Sequence, residues 1–187
     1  MNNLYKFIRN ELMSEINGCV STGKEANVYH GMKKATGDEF AVKIFKTSIL
    51  IFKDRDRYVS GEFRFRNGYG KSNPRKMVAT WAEKELRNLK RINVAEIPSP
   101  KPVLNKANIL VMTFLGHDGA AAPRLKDCRF EDPEPIYRQT IGIMRTLYQE
   151  CRLVHADFSE YNLLYHDGLV HVIDVGQAVE HDHPSSL

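Results

Sequence analysis

The chain has 187 residues, of which 42% are hydrophobic and 27% are charged, and its formal net charge is +4. This composition excludes a disordered tail and supplies enough apolar residues for one domain, or for two small lobes that share a cleft. No apolar run approaches the roughly 18 residues that cross a bilayer, and the first residues lack the apolar stretch of a secretory signal. We therefore expect a soluble intracellular protein without a membrane partner.

Cysteine usage supports the same expectation. Cys19, Cys128 and Cys151 are odd in number and widely separated. They give neither a disulfide framework nor a metal-ligand spacing, so they favour a reducing compartment and are predicted to be buried thiols.

The first half of the chain predicts a helix followed by a sheet. Apolar residues at helical spacing between residues 3 and 14 predict an N-terminal helix within 1–15. The segments "INGCVSTG", "NVYHGMKK" and "EFAVKIFK" then predict an antiparallel meander that opens an N-lobe over residues 16–115. Residues 47–74 carry three glycines and many charges, which predicts a long flexible loop.

Basic residues are concentrated in one part of the N-lobe. Fourteen of the 27 lysines and arginines lie between residues 43 and 91, where only five acids occur. This bias fits an ordinary solvated face, and it also fits a phosphate-bearing partner such as RNA, because aromatic residues are interleaved with the charges. Both interpretations remain open at this point.

The second half predicts two helices, two strands and a hairpin. A helix is expected over 75–92, with an apolar stripe at Val78, Ala82, Leu86 and Leu89, and then strands at "KPVLN" and "NILVMTFL". A lobe boundary is expected near 114–122, followed by a C-lobe over 116–187. The C-lobe should hold a helix from about 135 to 151 and the hairpin "LLYHDGLVHVID". The inner side of that helix is predicted to carry Ile136, Ile141, Met144, Leu147 and Tyr148.

The turn in "STGKEANVYHG" is a candidate phosphate-binding loop. Gly23 would let the backbone approach a ligand closely, and Ser21 and Thr22 could offer amides and hydroxyls to phosphate oxygens. The segment contains neither the G-x-G-x-x-G pattern nor the G-x-x-x-x-G-K-[ST] pattern, so an ordinary hairpin remains the alternative.

A lysine in the middle of an apolar strand needs an anionic partner. Lys43 lies within "FAVKIF", where an uncompensated ammonium would be costly. Glu85 lies on the predicted buried side of the helix, so we assign the pairing to Glu85 and expect Glu83 to face solvent. Such a pair could serve structure alone.

Three polar residues near the end of the chain match a phosphoryl-transfer site. Asp157 and Asn162 have the spacing of the kinase pattern H-R-D-x-x-x-x-N, and Asp174 lies where the aspartate of D-F-G would lie. In such a site one carboxylate orients the attacking hydroxyl, while other oxygen ligands hold Mg²⁺ against ATP. The alternative assigns these residues to turns and helix caps, but the chain order of glycine turn, strand lysine, helix glutamate and these residues favours the site.

With these motifs the chain resembles the RIO family of atypical protein kinases, and its first subfamily most. The resemblance covers residues 20–184 and rests on "STGKEANVYHG", the run from "AVKIFKTSILIFK" to "ATWAEKE", "LVMTFLG", "LVHADFSEYNLLYH" and "VIDVGQAVEHDHP". It implies an α+β, two-lobed protein-kinase-like fold of RIO type. The N-lobe would hold an antiparallel sheet and one long helix, and the C-lobe would be reduced and mainly helical.

The resemblance also implies roles for individual residues. Lys43 would contact the phosphates, Glu85 would orient Lys43, Asp157 would be the catalytic aspartate, and Asn162 and Asp174 would hold the metal. Asp174 would also be a candidate to accept the phosphate itself. Met112 would be the gatekeeper beside the adenine. The other implied ATP-binding residues are Ser21, Thr22, Gly23, Lys24, Val28 and the hinge residues Thr113, Phe114 and Leu115. Ser60 and Ser72, in the flexible loop, are candidate autophosphorylation positions.

The function implied is that of an ATP- and Mg²⁺-dependent serine/threonine kinase or ATPase in late maturation of the small (40S) ribosomal subunit. Its partner would be the pre-40S particle, reached through the basic segment 43–91, in the cytoplasm with the nucleus as a second location. One alternative is a nucleotide-gated assembly factor with little protein-kinase turnover. Another is a plain RNA-binding module, which the complete set of acids disfavours.

Departures from ordinary kinases limit these expectations. Ala156 stands where typical kinases have arginine, so activation through a phosphorylated loop is not expected. Thirteen residues follow Asp174 and contain no A-P-E segment, so we expect a truncated C-lobe. The run His181-Asp182-His183 could hold a metal, but a polar cap on the lobe is the favoured interpretation, and His155 is expected to be a structural hydrogen-bonding residue.

Overall fold

The computed structural model describes residues 12–47 and 73–183. Most of the predicted N-terminal helix, the loop with Ser60 and Ser72, and the last four residues lie outside this range. The predicted helix does not extend to residue 14, because residues 12–14 are not helical. The Ser14 amide donates to the Met32 carbonyl at 2.8 Å, so the chain has already joined the sheet there.

The N-lobe is built on a five-stranded antiparallel sheet, as the meander predicted. Its strands are β1 Glu15–Thr22, β2 Ala26–Lys33, β3 Asp38–Phe45, β4 Pro102–Lys106 and β5 Ile109–Thr113, in the order β1-β2-β3-β5-β4. The register places Lys43 of β3 between Val28 of β2 and Leu110 of β5. Lys43 therefore lies on a central strand.

Helix α1, Pro74–Val94, begins one residue earlier than predicted and ends the expected loop. The Asn73 side chain accepts hydrogen bonds from the amides of Arg75 and Lys76, and Pro74 occupies the first turn, where its missing N–H costs nothing. The predicted stripe faces the core: Val78, Ala82 and Leu89 are buried, and Leu86 packs against them.

After β5 the chain forms a short hairpin that the sequence did not predict, made of β6 Gly116–His117 and β7 Ala120–Ala121. Helix α2, Glu134–Gln149, follows, and it buries Ile136, Ile143 and Leu147. The prediction for its inner side is wrong at Ile141, Met144 and Tyr148, which are 44%, 47% and 58% exposed. These three lie on a neighbouring face of α2, which packs against the strands Leu153–Val154 and Leu169–Val172.

The rest of the described C-lobe consists of short elements. Strand β8, Leu153–Val154, pairs with β11, Val179–Glu180, and β9, Leu163–His166, forms the predicted hairpin with β10, Leu169–Val172. Two 3-10 helices span Leu125–Asp127 and Val175–Gln177. None of the described helices is long and apolar enough to span a membrane.

One hydrophobic core joins the two lobes. It contains Phe45 of β3, Trp81 and Leu89 of α1, Leu147 of α2 and Val172 of β10. The opposite face of the sheet has its own smaller cluster around Met13 and Val42.

The prediction of buried thiols holds for one cysteine only. Cys151 is buried, Cys128 is half-buried and Cys19 is exposed. Cys19 lies on the edge strand β1, where the register with β2 shifts, so the prediction is wrong there.

Candidate active site

A cavity of about 1000 Å³ lies between the lobes, and it brings together nearly all of the predicted site residues. Predicted residues that line it are Ser21, Gly23, Lys24, Val28, Lys43, Glu85, Met112, Thr113, Phe114, Leu115, Asp157, Asn162 and Asp174. Thr22 is not part of the lining, and its hydroxyl lies 3.5 Å from the Cys19 sulfur.

The candidate phosphate loop is a tight turn between β1 and β2. The Gly23 amide donates to the Ala26 carbonyl at 2.9 Å, and the Lys46 ammonium donates to the Gly23 carbonyl at 2.6 Å. A Cβ at position 23 would lie 3.1 Å from the Ala26 carbonyl oxygen, so the turn favours glycine by close approach. On the C-lobe side Arg124 donates to the Ser21 hydroxyl at 3.3 Å.

Lys43 is paired with Glu85, as predicted, and also contacts Asp174. Its ammonium lies 2.7 and 2.8 Å from the two Glu85 carboxylate oxygens and 3.0 Å from Asp174 Oδ1. Lys43 and Glu85 are both buried. Glu83 is exposed and pairs with Arg87, so its predicted solvent orientation is confirmed.

The charge state of Lys43 follows from these neighbours. Burial alone would lower the pKa of its ammonium, but attraction by Asp174 and Glu85 outweighs that effect and raises the pKa well above the usual lysine value. The site therefore keeps a fixed positive charge at the wall of the cavity at any physiological pH.

Asp157 is held by Asn162. The Asn162 amide nitrogen donates to the Asp157 backbone carbonyl at 2.9 Å and to Asp157 Oδ2 at 2.8 Å. Since the nitrogen is committed to Asp157, the amide oxygen is the atom left for a cation. The preceding residue, Ala156, has φ 65°, a left-handed conformation that sets the direction in which Asp157 leaves the strand.

The backbone at Asp174 is held by its left-handed conformation and by contacts of the following segment with helix α1. It has φ 56° and ψ 53° and starts the 3-10 helix Val175–Gln177. Asn88 of α1 donates to the carbonyls of Val175 and Ala178 at 2.8 and 3.2 Å. A Cβ at Gly176 would lie 3.1 Å from Glu85 Oε2, so glycine allows this segment to pack directly on the helix glutamate.

The donor set fits Mg²⁺ and a nucleotide. The Asp174 carboxylate and the Asn162 amide supply the oxygen ligands that Mg²⁺ prefers. They belong to neighbouring strand ends, because the Ile173 amide donates to the Asn162 carbonyl at 3.0 Å. The cavity is at the upper end of the size range of ligand pockets and is flanked by apolar residues from both lobes, including Val28 and Leu164. The apolar walls suit a nucleotide base, and the charged groups suit its phosphates.

Comparison with known proteins places this geometry in a family. A model of the RIO domain matches residues 27–187. The chain belongs to the RIO family. The serine/threonine-protein kinases RIO1 of Homo sapiens and Schizosaccharomyces pombe are 59% and 61% identical to it, whereas RIO3 of Homo sapiens is 46% identical. The higher identity to RIO1 than to RIO3 supports assignment of the chain to the first subfamily.

The RIO1 and RIO3 relatives are much longer than this RIO chain. The alignments cover 98% of the chain but 33% and 37% of the two RIO1 proteins and 38% of RIO3. The chain therefore spans about a third of the length of these curated relatives.

Solved structures confirm the two-lobed RIO kinase fold. The Rio2 kinase–ADP/Mg²⁺–phosphoaspartate complex from Chaetomium thermophilum matches with a TM-score of 0.73 at 21% identity. The match covers 98% of this RIO chain and 54% of that one. A second Rio2 kinase structure from the same organism gives the same TM-score.

Some residues of the RIO site escaped the sequence analysis. Ala41 lines the cavity and lies two positions before Lys43 on the same face of β3, so strand periodicity could have found it. Asn88 lies one turn after Glu85 on α1, and helical spacing could have suggested it. Arg124 precedes the first 3-10 helix outside any motif, and no signal in the sequence pointed to it.

The histidine predictions have different outcomes. His155 is buried and hydrogen-bonded to the Ile173 carbonyl at 3.1 Å, so its structural role is confirmed. Burial lowers the pKa of its imidazole, so the neutral ring donates through Nε2 and ties the Asp157 loop to the residue before Asp174. His181, Asp182 and His183 form no metal-binding group among the described residues; instead His181 contacts Arg152 and Tyr148.

Proposed function

We propose that the protein is an ATP- and Mg²⁺-dependent atypical serine/threonine kinase or ATPase. The observation that carries this proposal is the convergence of Lys43, Glu85 and Asp174 in the same cavity that Asp157 and Asn162 line. Membership of the RIO family and the names of the RIO1 relatives support it.

The two carboxylates on Lys43 have different tasks in this proposal. The Glu85 side chain is 2% exposed, whereas that of Asp174 is 36% exposed. Glu85 therefore keeps the ammonium in place, while Asp174 can turn from Lys43 toward a cation when phosphate oxygens take its place on the lysine. The fixed charge of Lys43 offsets the negative charge of the phosphates.

Asp157 orients the hydroxyl that is to be phosphorylated and accepts its proton. Asn162 donates one hydrogen bond to this carboxylate and a second to the Asp157 backbone carbonyl, so positioning requires no rearrangement. Bound Mg²⁺, held by Asn162 and Asp174, would neutralise the phosphate oxygens.

A second mode of action is favoured by one observation. The Rio2 structure that shares this fold holds a phosphoaspartate with ADP and Mg²⁺. In this mode an oxygen of Asp174 attacks the γ-phosphorus, the bond from that phosphorus to its bridging oxygen breaks, and ADP leaves. Water then hydrolyses the acyl phosphate. Such an ATPase cycle suits a nucleotide-gated assembly factor with little protein-kinase turnover.

We place this activity in maturation of the small (40S) ribosomal subunit, with the pre-40S particle as partner, in the cytoplasm and secondarily in the nucleus. Resemblance to the first RIO subfamily supports the assignment. In the described part of the basic segment 43–91, Arg75, Lys76 and Lys90 of α1 are exposed and could contact the particle. Within that range Lys43 and Lys84 are buried, and Arg87 and Arg91 are paired with glutamates.

Phosphate transfer from radiolabelled Mg²⁺–ATP to a serine-rich acceptor, myelin basic protein, tests the proposal. Asp157→Asn should lower the rate by about 10²-fold to 10⁴-fold, as loss of a general base does. Asp118→Asn, which removes an exposed carboxylate outside the cavity, should leave the rate unchanged. Equal rates for wild type and Asp157→Asn would refute the kinase assignment.

The same reaction separates the two modes. Label on the wild-type protein that hydroxylamine removes is an acyl phosphate, and its loss in Asp174→Asn would assign it to Asp174. Label that resists hydroxylamine, together with fast transfer to the acceptor protein, would exclude the ATPase mode as the main one.

A further inference from the structure

The tripeptide His-Asp-Gly occurs twice in the chain, as His117–Gly119 and as His166–Gly168. In both copies the aspartate and the glycine have positive φ, 52° and 76° in the first and 50° and 80° in the second. Positive φ at both central residues is typical of the two-residue type I′ turn. The first copy joins β6 to β7 and the second joins β9 to β10. Each histidine is thus the last strand residue before a tight turn.

The two turns meet in space. His117 Nε2 lies 3.0 Å from Asp167 Oδ1, and His166 Nε2 lies 3.4 Å from Asp167 Oδ2. The imidazole rings of His117 and His166 have centroids 4.7 Å apart. Two ring nitrogens therefore converge on one carboxylate, at a position outside the ATP cavity.

We propose that His117, His166 and Asp167 form a surface site for a first-row transition-metal cation, with Zn²⁺ as the preferred ion. One donor atom from each residue lies within 4.8 Å of the others. In the part of the chain that the structure describes, this is the only group of three or more such residues that close together. The donor set of two imidazoles and a carboxylate is one that zinc binds in proteins, with a water at the fourth position.

The distances fit this ion. Ligand atoms about 2.0–2.2 Å from a tetrahedral Zn²⁺ are separated from one another by roughly 3.4 Å. Each histidine nitrogen already lies near that separation from an oxygen of Asp167, with His117 Nε2 3.0 Å from Oδ1 and His166 Nε2 3.4 Å from Oδ2. Rotation of the His117 side chain, which is 72% exposed, can bring its nitrogen and that of His166 onto one cation. His166 is only 15% exposed, so it forms the fixed side of the site.

The donor chemistry distinguishes this site from the predicted Mg²⁺ site. Imidazole nitrogen suits zinc and copper, whereas Mg²⁺ prefers oxygen ligands and keeps its waters. Mg²⁺ at millimolar concentration should therefore fill the site of Asn162 and Asp174 and leave the histidine site to Zn²⁺. The two cations can be titrated independently.

The proposed zinc site lies between the segment that follows Leu115 and the β9–β10 hairpin. Strand β6 follows the hinge residue Leu115 directly, and β9 follows Asn162 directly. A cation shared by His117 and His166 would link the hinge segment to the hairpin that carries the catalytic loop. Zinc binding should therefore raise the melting temperature, because it stabilises the folded state alone.

Isothermal titration of the full chain with ZnCl₂, in the presence of saturating Mg²⁺, tests the proposal. We expect one site in the wild type and an affinity loss of about tenfold or more in His117→Ala and in Asp167→Asn. The matched control is Asp118→Asn, which makes the same change at the equivalent place in the other turn. Both Asn variants retain folded turns, because Asn-Gly also favours type I′.

Cobalt provides a second readout. Co²⁺ in a tetrahedral site with nitrogen ligands absorbs visible light strongly, and this band should be present in the wild type and in Asp118→Asn but absent in His117→Ala. The proposal is overturned if the wild type takes up no Zn²⁺ under these conditions. It is also overturned if His117→Ala and Asp167→Asn bind Zn²⁺ as the wild type does, because the ion would then lie elsewhere.

Discussion

Lys43 illustrates how much of the site depends on single contacts between side chains. Its ammonium is buried in the N-lobe sheet, where it would be unstable without compensation, and Glu85 supplies two short hydrogen bonds. The same pair is therefore structural and functional at once. A Lys43–Glu85 pair that served structure alone would not need a second carboxylate. Here Asp174 Oδ1 also lies 3.0 Å from the Lys43 ammonium, which connects the pair to the candidate cation site.

Replacing Glu85 by Gln tests this coupling. The change preserves the shape of the side chain but removes its charge. Of the two carboxylates that contact Lys43, only Asp174 then remains. We expect the free energy of unfolding to fall by about 3 kcal/mol, the typical cost of breaking a buried ion pair. Urea denaturation measures the change.

Glu83→Gln is the matched control, since it makes the same substitution two residues earlier on the same helix. Glu83 and Arg87 form an exposed pair one turn apart, and such pairs contribute about 0.3–0.5 kcal/mol. A similar loss in both variants would show that burial of the Lys43 pair has no particular energetic weight.

Helix α1 is the element that connects the pieces of the site. It contributes Glu85 to the lysine and Asn88 to the segment after Asp174, and it belongs to the core that both lobes share. The beginning of α1 is fixed by Asn73, whose side chain accepts from two amides of the first turn. The Asn73 cap lies twelve residues before Glu85 in the chain. A change at the cap should therefore alter the stability of α1 without altering the Lys43–Glu85 contact.

Asn73→Ala should lower the free energy of unfolding by about 1 kcal/mol, because two amides of the first turn lose their acceptor. Asn73→Ser should retain most of the stability, since serine also caps helices well. Thermal or urea unfolding of the two variants measures the difference. Equal losses in Ala and Ser would mean that the side-chain cap does not hold the helix start.

Elements with a clear period were predictable, and short ones were not. The sheet strands, α1 and the β9–β10 hairpin each repeat an apolar pattern over several residues. Strands β6, β7, β8 and β11 have two residues each, which is too short for any period, and they form because tertiary neighbours pair with them. The face of α2 was mispredicted for a related reason: apolar residues such as Ile141 and Met144 fit a helix, but only a partner decides which of them become buried.

At the scale of the whole molecule, the site was more predictable than the details of the fold around it. Lys43, Glu85, Asp157, Asn162 and Asp174 occur in a fixed chain order, and each has a charge or an amide that a phosphoryl-transfer site requires. What the sequence could not reveal is where the lobes close on one another. Arg124 contacts Ser21 across the cleft, 103 positions apart, and nothing in either local sequence specifies that meeting.

The shared core gives the last prediction. Because residues of both lobes pack in one cluster, the chain should unfold as a unit, and a ligand held between the lobes should stabilise all of it. ATP with Mg²⁺ at about a hundredfold excess over Kd should add about 2.7 kcal/mol to the stability. For a chain of this size that corresponds to a rise of several degrees in Tm.

Thermal-shift titration with ATP, with and without Mg²⁺, measures this stabilisation in the wild type and in Asp174→Ala. The wild type should show a larger shift with Mg²⁺ than without it, and the variant should lose that difference because one of the two cation ligands is gone. The shift with ATP alone should persist in the variant, since Lys43 and the adenine-side residues remain. A Mg²⁺-dependent shift of the same size in Asp174→Ala would place the cation on other ligands and would separate Asp174 from nucleotide binding.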